Sequence, residues 1–125
     1  AIINYEKSIS LNKKFVPGLN ILADIYLNKG KLTKAIEYYK KSVNLDMSKK
    51  NINAINKLGI AIISIFLKDK DIKKLREAKK YFEKTHELDR DNDIFYSQLI
   101  SFYHLSGMKN EAIFHSKNRN GVFII

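Results

Sequence analysis

The sequence predicts an all-helical chain, a stack of antiparallel helix pairs, and three observations carry that expectation. Apolar residues recur at helical spacing along nearly the whole chain, as at Leu19, Leu22, Ala23 and Tyr26. Small and aromatic residues return in a fixed register: Ala1, Tyr5, Ser8 and Leu11 are matched by Ala35, Tyr39, Ser42 and Leu45, each 34 positions further on. Glycines stand where helices should stop, at Gly30 and Gly107.

Composition supports a globular reading. Of the 125 residues, 45% are apolar, too many for a disordered chain. Cysteine is absent, which excludes a disulfide framework and a thiolate zinc site and suits a reducing, cytoplasmic compartment. The longest apolar run, Gly59 to Leu67, is far short of the roughly 20 residues a membrane-spanning helix needs. The chain opens Ala-Ile-Ile-Asn, without Met and already inside an amphipathic pattern, so it is expected to be a fragment of a longer protein.

The register extends through the chain. Ala78, Phe82, Thr85 and Leu88 take the roles of Ala35, Tyr39, Ser42 and Leu45, and Ala112 follows Ala78 by 34. A second kind of helix lies between these copies. Its residues are Leu19, Leu22, Ala23 and Tyr26 in one copy, Leu58, Gly59 and Ile62 in the next, and Tyr96, Leu99, Ile100 and Tyr103 in the last. The approximate helix spans are 1–12, 16–29, 33–46, 51–67, 71–89, 93–106 and 109–118. One repeat domain therefore covers 1–125, as a half repeat at 1–12 and repeats at about 15–48, 51–90 and 93–120.

This pattern resembles the tetratricopeptide repeat, a 34-residue helix–turn–helix unit. Its best copy here is Leu19, Leu22-Ala23, Tyr26, Gly30, Ala35, Tyr39, Ser42, Leu45 and Asp46. The resemblance implies a right-handed superhelical α-solenoid of about seven helices. The residue types fit such packing. Small Ala35, Ala78, Ala23 and Gly59 let paired helices approach, Tyr39 and Phe82 fill the adjoining space, and Tyr26 and Tyr103 should bridge toward the next repeat.

Departures from the pattern are informative. Leu58 to Ala78 spans 20 positions where Leu22 to Ala35 spans 13, so Lys68 to Lys73 should lengthen a helix or form a charged loop. Met47 and Arg90 stand where a Pro is usual, and Ser116 where an aromatic is expected. The apolar tail Val122-Phe123-Ile124-Ile125 follows a turn signal at residues 118–121 and needs a packing partner.

The resemblance places the first helix of each pair along a concave groove. The implied groove residues are Asn20, Ile21, Asp24, Leu27 and Asn28; then Asn56, Lys57, Ile60, Ile63 and Ser64; then Ile94, Ser97, Gln98, Ser101 and His104. The amides and hydroxyls among them suit sequence-tolerant gripping of a peptide backbone, although any solvated face contains such residues. Ile60, Ile63 and Leu67 form a stripe in a helix apolar on nearly every side, for which core packing is the expectation and an exposed partner-binding patch the alternative. The family's two-carboxylate clamp for chaperone tails corresponds here to Asn20, Asp24, Lys57, Ile94 and Gln98. With a single cation and with Asp24 repelling carboxylates, chaperone-tail binding is not expected.

No catalytic motif emerges. His86, His104 and His115 have no second ligand at metal spacing, and Glu111 with His115 reads as a weak helical pair. Asp89, Asp91 and Asp93 imitate a calcium loop, but Ile94 and Ile100 occupy the places that need Gly and Glu; Asp91 or Asn92 is better placed to cap the next helix. The reading is a non-enzymatic scaffold for a protein or peptide, with no cofactor. Neighbouring repeats of the parent protein, or a second copy, are further candidate partners at its exposed ends. The alternative is a basic module binding nucleic acid or an acidic surface. Its grounds are a net charge of +10, interleaved basic and aromatic residues at Tyr38 to Lys41 and Lys79 to Phe82, and an outer stripe of Lys73, Arg76, Lys80 and Lys84, diluted by Glu77, Glu83 and Glu87.

Overall fold

In the computed structural model of the chain, residues 15–107 are described; the expected helices at 1–12 and 109–118, with Glu111, His115 and the apolar tail, lie outside them. Five α-helices follow in order: α1 (Val16–Asn28), α2 (Leu32–Leu45), α3 (Ile52–Asp69), α4 (Ile72–Leu88) and α5 (Asp93–Leu105). A short 3-10 turn, Lys49–Asn51, leads into α3. Each helix packs on its neighbours in sequence, most extensively α1 on α2 and α3 on α4, as helix pairs joined by short turns must.

Local chemistry sets the boundaries. Pro17 sits in the first turn of α1, where its missing N–H costs nothing. Gly30 adopts φ 75°, so the N–H of Lys31 reaches the Tyr26 carbonyl at 2.9 Å and that of Gly30 reaches Leu27 at 3.0 Å, which closes the last turn of α1. Gly107, at φ 78°, ends α5 in the same conformation. Asn92 caps α5 by accepting from the N–H groups of Ile94 and Phe95 at 3.0 and 3.1 Å. Where Pro is usual after α2, Asp46 makes the turn instead, its carboxylate accepting from the Ser48 N–H at 2.9 Å.

The charged insertion lengthens helices and forms almost no loop. The second pair has helices of 18 and 17 residues, against 13 and 14 in the first. Between α3 and α4 only Lys70 and Asp71 are left: Lys70 is left-handed at φ 58° and Asp71 caps α4 through the Lys73 N–H at 3.1 Å.

One core runs through both pairs into α5. Ala35, Ala78, Tyr39, Leu22, Leu58 and Leu99 are fully buried, the larger of them each contributing roughly 1.5–3 kcal/mol. The small–large register operates as expected at Gly59, where a Cβ would lie 3.3 Å from the Phe82 ring. Among the described residues, the Tyr26 ring stacks on Tyr38 of its own pair at 5.7 Å, and the Tyr103 hydroxyl donates to Glu83 on the preceding helix.

Candidate functional site

The face of α1, α3 and α5 that carries the expected groove residues divides into two halves of opposite character. Between α1 and α3 the polar residues are tied to one another. Asn20 donates to the Asn51 side chain at 2.8 Å and accepts from the Ser42 hydroxyl at 2.5 Å. Asn51, 5% exposed, also donates to the Asp46 carbonyl at 2.9 Å and to the Ser42 hydroxyl at 3.0 Å. Alongside, Asp24 accepts from the buried Tyr39 hydroxyl and from Lys57 at 3.1 Å. Burial, then the hydrogen bond to Asp24 and its negative charge, push the Tyr39 phenol far above its ordinary pKa. Of the residues the sequence placed in this half, Ile21 and Asn28 are exposed and Leu27 is half-buried. Asn56 is buried, its Oδ1 without a hydrogen-bond partner among the described residues.

Between α3 and α5 the face opens into an apolar cleft of about 510 Å³. Ile60 and Ile63 form one wall, Ile94, Gln98, Ser101 and Leu105 the other, and the rings of Phe82 and Phe102, 5.3 Å apart, form the floor. The expectation that the Ile60 stripe is core is therefore corrected: Ile63 is half-buried, but Ile60 is 38% and Leu67 50% exposed. The reason lies opposite, where short Ser97 and Ser101 leave space that longer side chains would fill. Ser64, one turn beyond Ile60, is turned back on the Ile60 carbonyl at 2.9 Å. The Gln98 Oε1 is buried without a hydrogen-bond partner among the described residues, and His104 is exposed at the end of α5, outside the cleft lining.

The structure thus brings together Ile60, Ile63, Ser97, Gln98 and Ser101 in one cavity and commits Asn20, Asp24 and Lys57 to internal bonds. Sequence reasoning missed Asn51, Phe82, Phe102 and Leu105. Ile94, Gln98, Ser101 and Leu105 do share one helical face in the sequence, which was the available signal for Leu105.

Of the aromatic residues interleaved with lysines, Tyr39, Tyr81 and Phe82 are buried and Tyr38 is covered by Tyr26, so none presents a bare stacking platform. Lys84 lies 3.4 Å from Glu87 and Lys40 2.5 Å from Glu77. His86 packs beside the Tyr96 ring at 5.7 Å. Asp89 accepts from the Asn92 side chain at 3.3 Å. Among the described residues, no group of three or more His, Cys, Asp or Glu side chains is placed to hold a metal ion.

Residues 16–47, which span α1, α2 and the turn between them, match the family model described as a tetratricopeptide repeat. That matched helix pair is a tetratricopeptide repeat. No curated protein shows a significant match to the chain. Among solved structures it is similar to two of MamA, both at 24% identity, with TM-scores of 0.76 and 0.77 and 97% and 98% of this chain covered. It is also similar to YrrB, described as a tetratricopeptide repeat protein with an unusual peptide-binding site, at 20% identity, TM-score 0.70 and 98% coverage. The chain spans 66% and 62% of the two MamA chains and 58% of the YrrB chain. These likenesses show the fold. Tetratricopeptide repeat proteins bind protein or peptide partners, and among the described residues no helix is long and apolar enough to cross a membrane.

Proposed function

We propose that the chain is a non-catalytic protein-interaction scaffold that seats an apolar side chain of a partner segment in the cleft between α3 and α5. The single observation that carries this reading is the cleft itself, an exposed apolar cavity of about 510 Å³ on the groove face of a fold built for such surfaces. Asn20 and Asn51 of the α1–α3 half are engaged internally, so the grip is hydrophobic in its main part. Gln98 offers an amide whose Oε1 can turn to a partner N–H without breaking a hydrogen bond among the described residues. Asp93 is the one charged residue among those lining the cleft, so affinity depends weakly on salt. The peptide-binding site named for YrrB supports this class of function on the same architecture.

Selection of a random peptide library on the chain tests the proposal. The expected consensus carries a bulky aliphatic or aromatic anchor. Ile63→Asp and Ile94→Asp should each weaken the selected peptide by roughly ten- to a hundredfold, the worth of one buried apolar side chain. Ile94 is 67% exposed, so its replacement leaves the fold intact. Undiminished binding by both variants would sink the proposal. Loss in Lys80→Glu with Lys84→Glu, accompanied by a steep salt dependence, would favour the nucleic-acid reading.

A further inference from the structure

A second surface lies at the end of the stack where the first helix of each pair turns into the second. Lys29 and Lys31 flank Gly30, Lys34 begins α2, and Lys68, Lys70 and Lys73 surround the α3–α4 turn; all are exposed. Lys31, Lys34 and Lys68 line one pocket of about 490 Å³ together with Leu32 and Ile65, so the two turns adjoin. The acids at this end, Asp69 and Asp71, both lie against Lys74, at 2.6 and 3.5 Å. Lys34 is 3.7 Å from Glu37, whereas Lys29, Lys31, Lys68, Lys70 and Lys73 have no ion pair among the described residues. The opposite end mixes Asp46, Asp89, Asp91 and Asp93 with Lys49, Lys50 and Arg90. Of these two ends, among the described residues, the first carries the excess of positive charge.

Charge alone would suit any polyanion, and two aliphatic side chains decide among them. Leu67 is 50% and Ile72 61% exposed, one on each side of the α3–α4 turn. Measured from the equivalent positions Leu22 and Leu58, α3 runs on to Asp69 where α1 stops at Asn28. At 1.5 Å per residue this carries the turn about 7 Å farther out. A nucleic acid or an acidic peptide gains little from aliphatic groups at a projecting tip. An anionic bilayer uses both features: its headgroup phosphates attract the lysines, and its interfacial layer takes the aliphatic tips.

We propose that this end of the stack docks peripherally on an anionic phospholipid surface, with Leu67 and Ile72 entering the interface and Lys31, Lys34, Lys68, Lys70 and Lys73 meeting the headgroups. The residues are distinct from those of the α3–α5 cleft, so this surface and the cleft stand or fall separately.

Co-sedimentation of the full chain with vesicles tests it. The chain pellets with phosphatidylserine–phosphatidylcholine vesicles and stays in solution with phosphatidylcholine alone. Each lysine near such a surface is worth roughly fivefold in partition, so Lys31→Gln, Lys34→Gln and Lys68→Gln together lower binding roughly a hundredfold. Leu67→Ser with Ile72→Ser also weakens it, while Lys80→Gln with Lys84→Gln leaves it unchanged. All of these variants retain the parent's thermal melt, because the first five positions are exposed and Lys80 and Lys84 lie on the outer face. Failure to bind the anionic vesicles at low salt overturns the proposal. Full binding by the Leu67–Ile72 variant overturns it in favour of a polyanion partner, and equal loss in the Lys80–Lys84 variant shows diffuse charge instead of a docking end.

Discussion

Replacing Asn51 with Ala should be among the most damaging single polar changes in the described part of the chain. Asn51 joins three segments: it accepts from Asn20 on α1, donates to Ser42 on α2, and donates to the Asp46 carbonyl that ends α2. Each such bond contributes about 1 kcal/mol net, and leaving a buried group without a partner costs about 1–3 kcal/mol. Ser42 is fully buried and keeps its bond to Asn20, so its loss is partial; the Asp46 carbonyl and half-buried Asn20 regain some hydration. The sum is about 3 kcal/mol of unfolding free energy, with Asn53→Ala, at an exposed position in the first turn of α3, as the control near zero. Urea unfolding followed by far-UV circular dichroism reads the difference directly. A double-mutant cycle with Ser42→Ala should show coupling of roughly 1 kcal/mol. If Asn51→Ala stays within about 0.5 kcal/mol of the parent, or the cycle is additive, the three bonds do not act as a unit and the reasoning fails.

Two further outcomes follow from the packing. The Tyr39 phenol is raised in the folded state, while in the unfolded chain it ionises near its ordinary value of about 10. Above that pH the folded state holds more protons, so stability falls as pH rises; melting scans should show a shallower alkaline decline for Tyr39→Phe than for the parent. Gly59→Ala gains up to about 1 kcal/mol of helix propensity against the 3.3 Å approach of its Cβ to Phe82. Phe82 borders the open cleft and can give way, so the melting temperature should hold or rise. A clear fall would mean that Phe82 is pinned.

Much of the fold was legible because the repeat fixes which residues must be small and which large. Gly30 and Gly107 mark helix ends for a conformational reason that does not depend on tertiary context, and Ala35 and Ala78 mark fully buried contacts between helices. Asn51 was invisible for the opposite reason. It lies in the turn between pairs, where the pattern prescribes no residue, and its partners come from positions as far as 31 residues away. The cleft was half legible. Ile60 and Ile63 read as an apolar stripe, but an apolar stripe can be core or open surface. The difference is decided by Ser97 and Ser101, which face it from a helix more than 30 positions on. Likewise the sequence put Asn20 and Asp24 among the expected groove residues, but their engagement with Ser42, Asn51, Tyr39 and Lys57 depends on distances that spacing does not give.

The most direct test of the central claim is a methyl nuclear magnetic resonance titration of the chain with a peptide selected on it. If the α3–α5 cleft seats the partner's apolar anchor, the methyl signals of Ile60, Ile63, Ile94 and Leu105 shift to saturation with one affinity while those of Val43 on α2 stay in place. Saturable shifts confined to Ile21 and Leu27, or to the outer helices, with Ile60 and Ile94 unmoved, would contradict it.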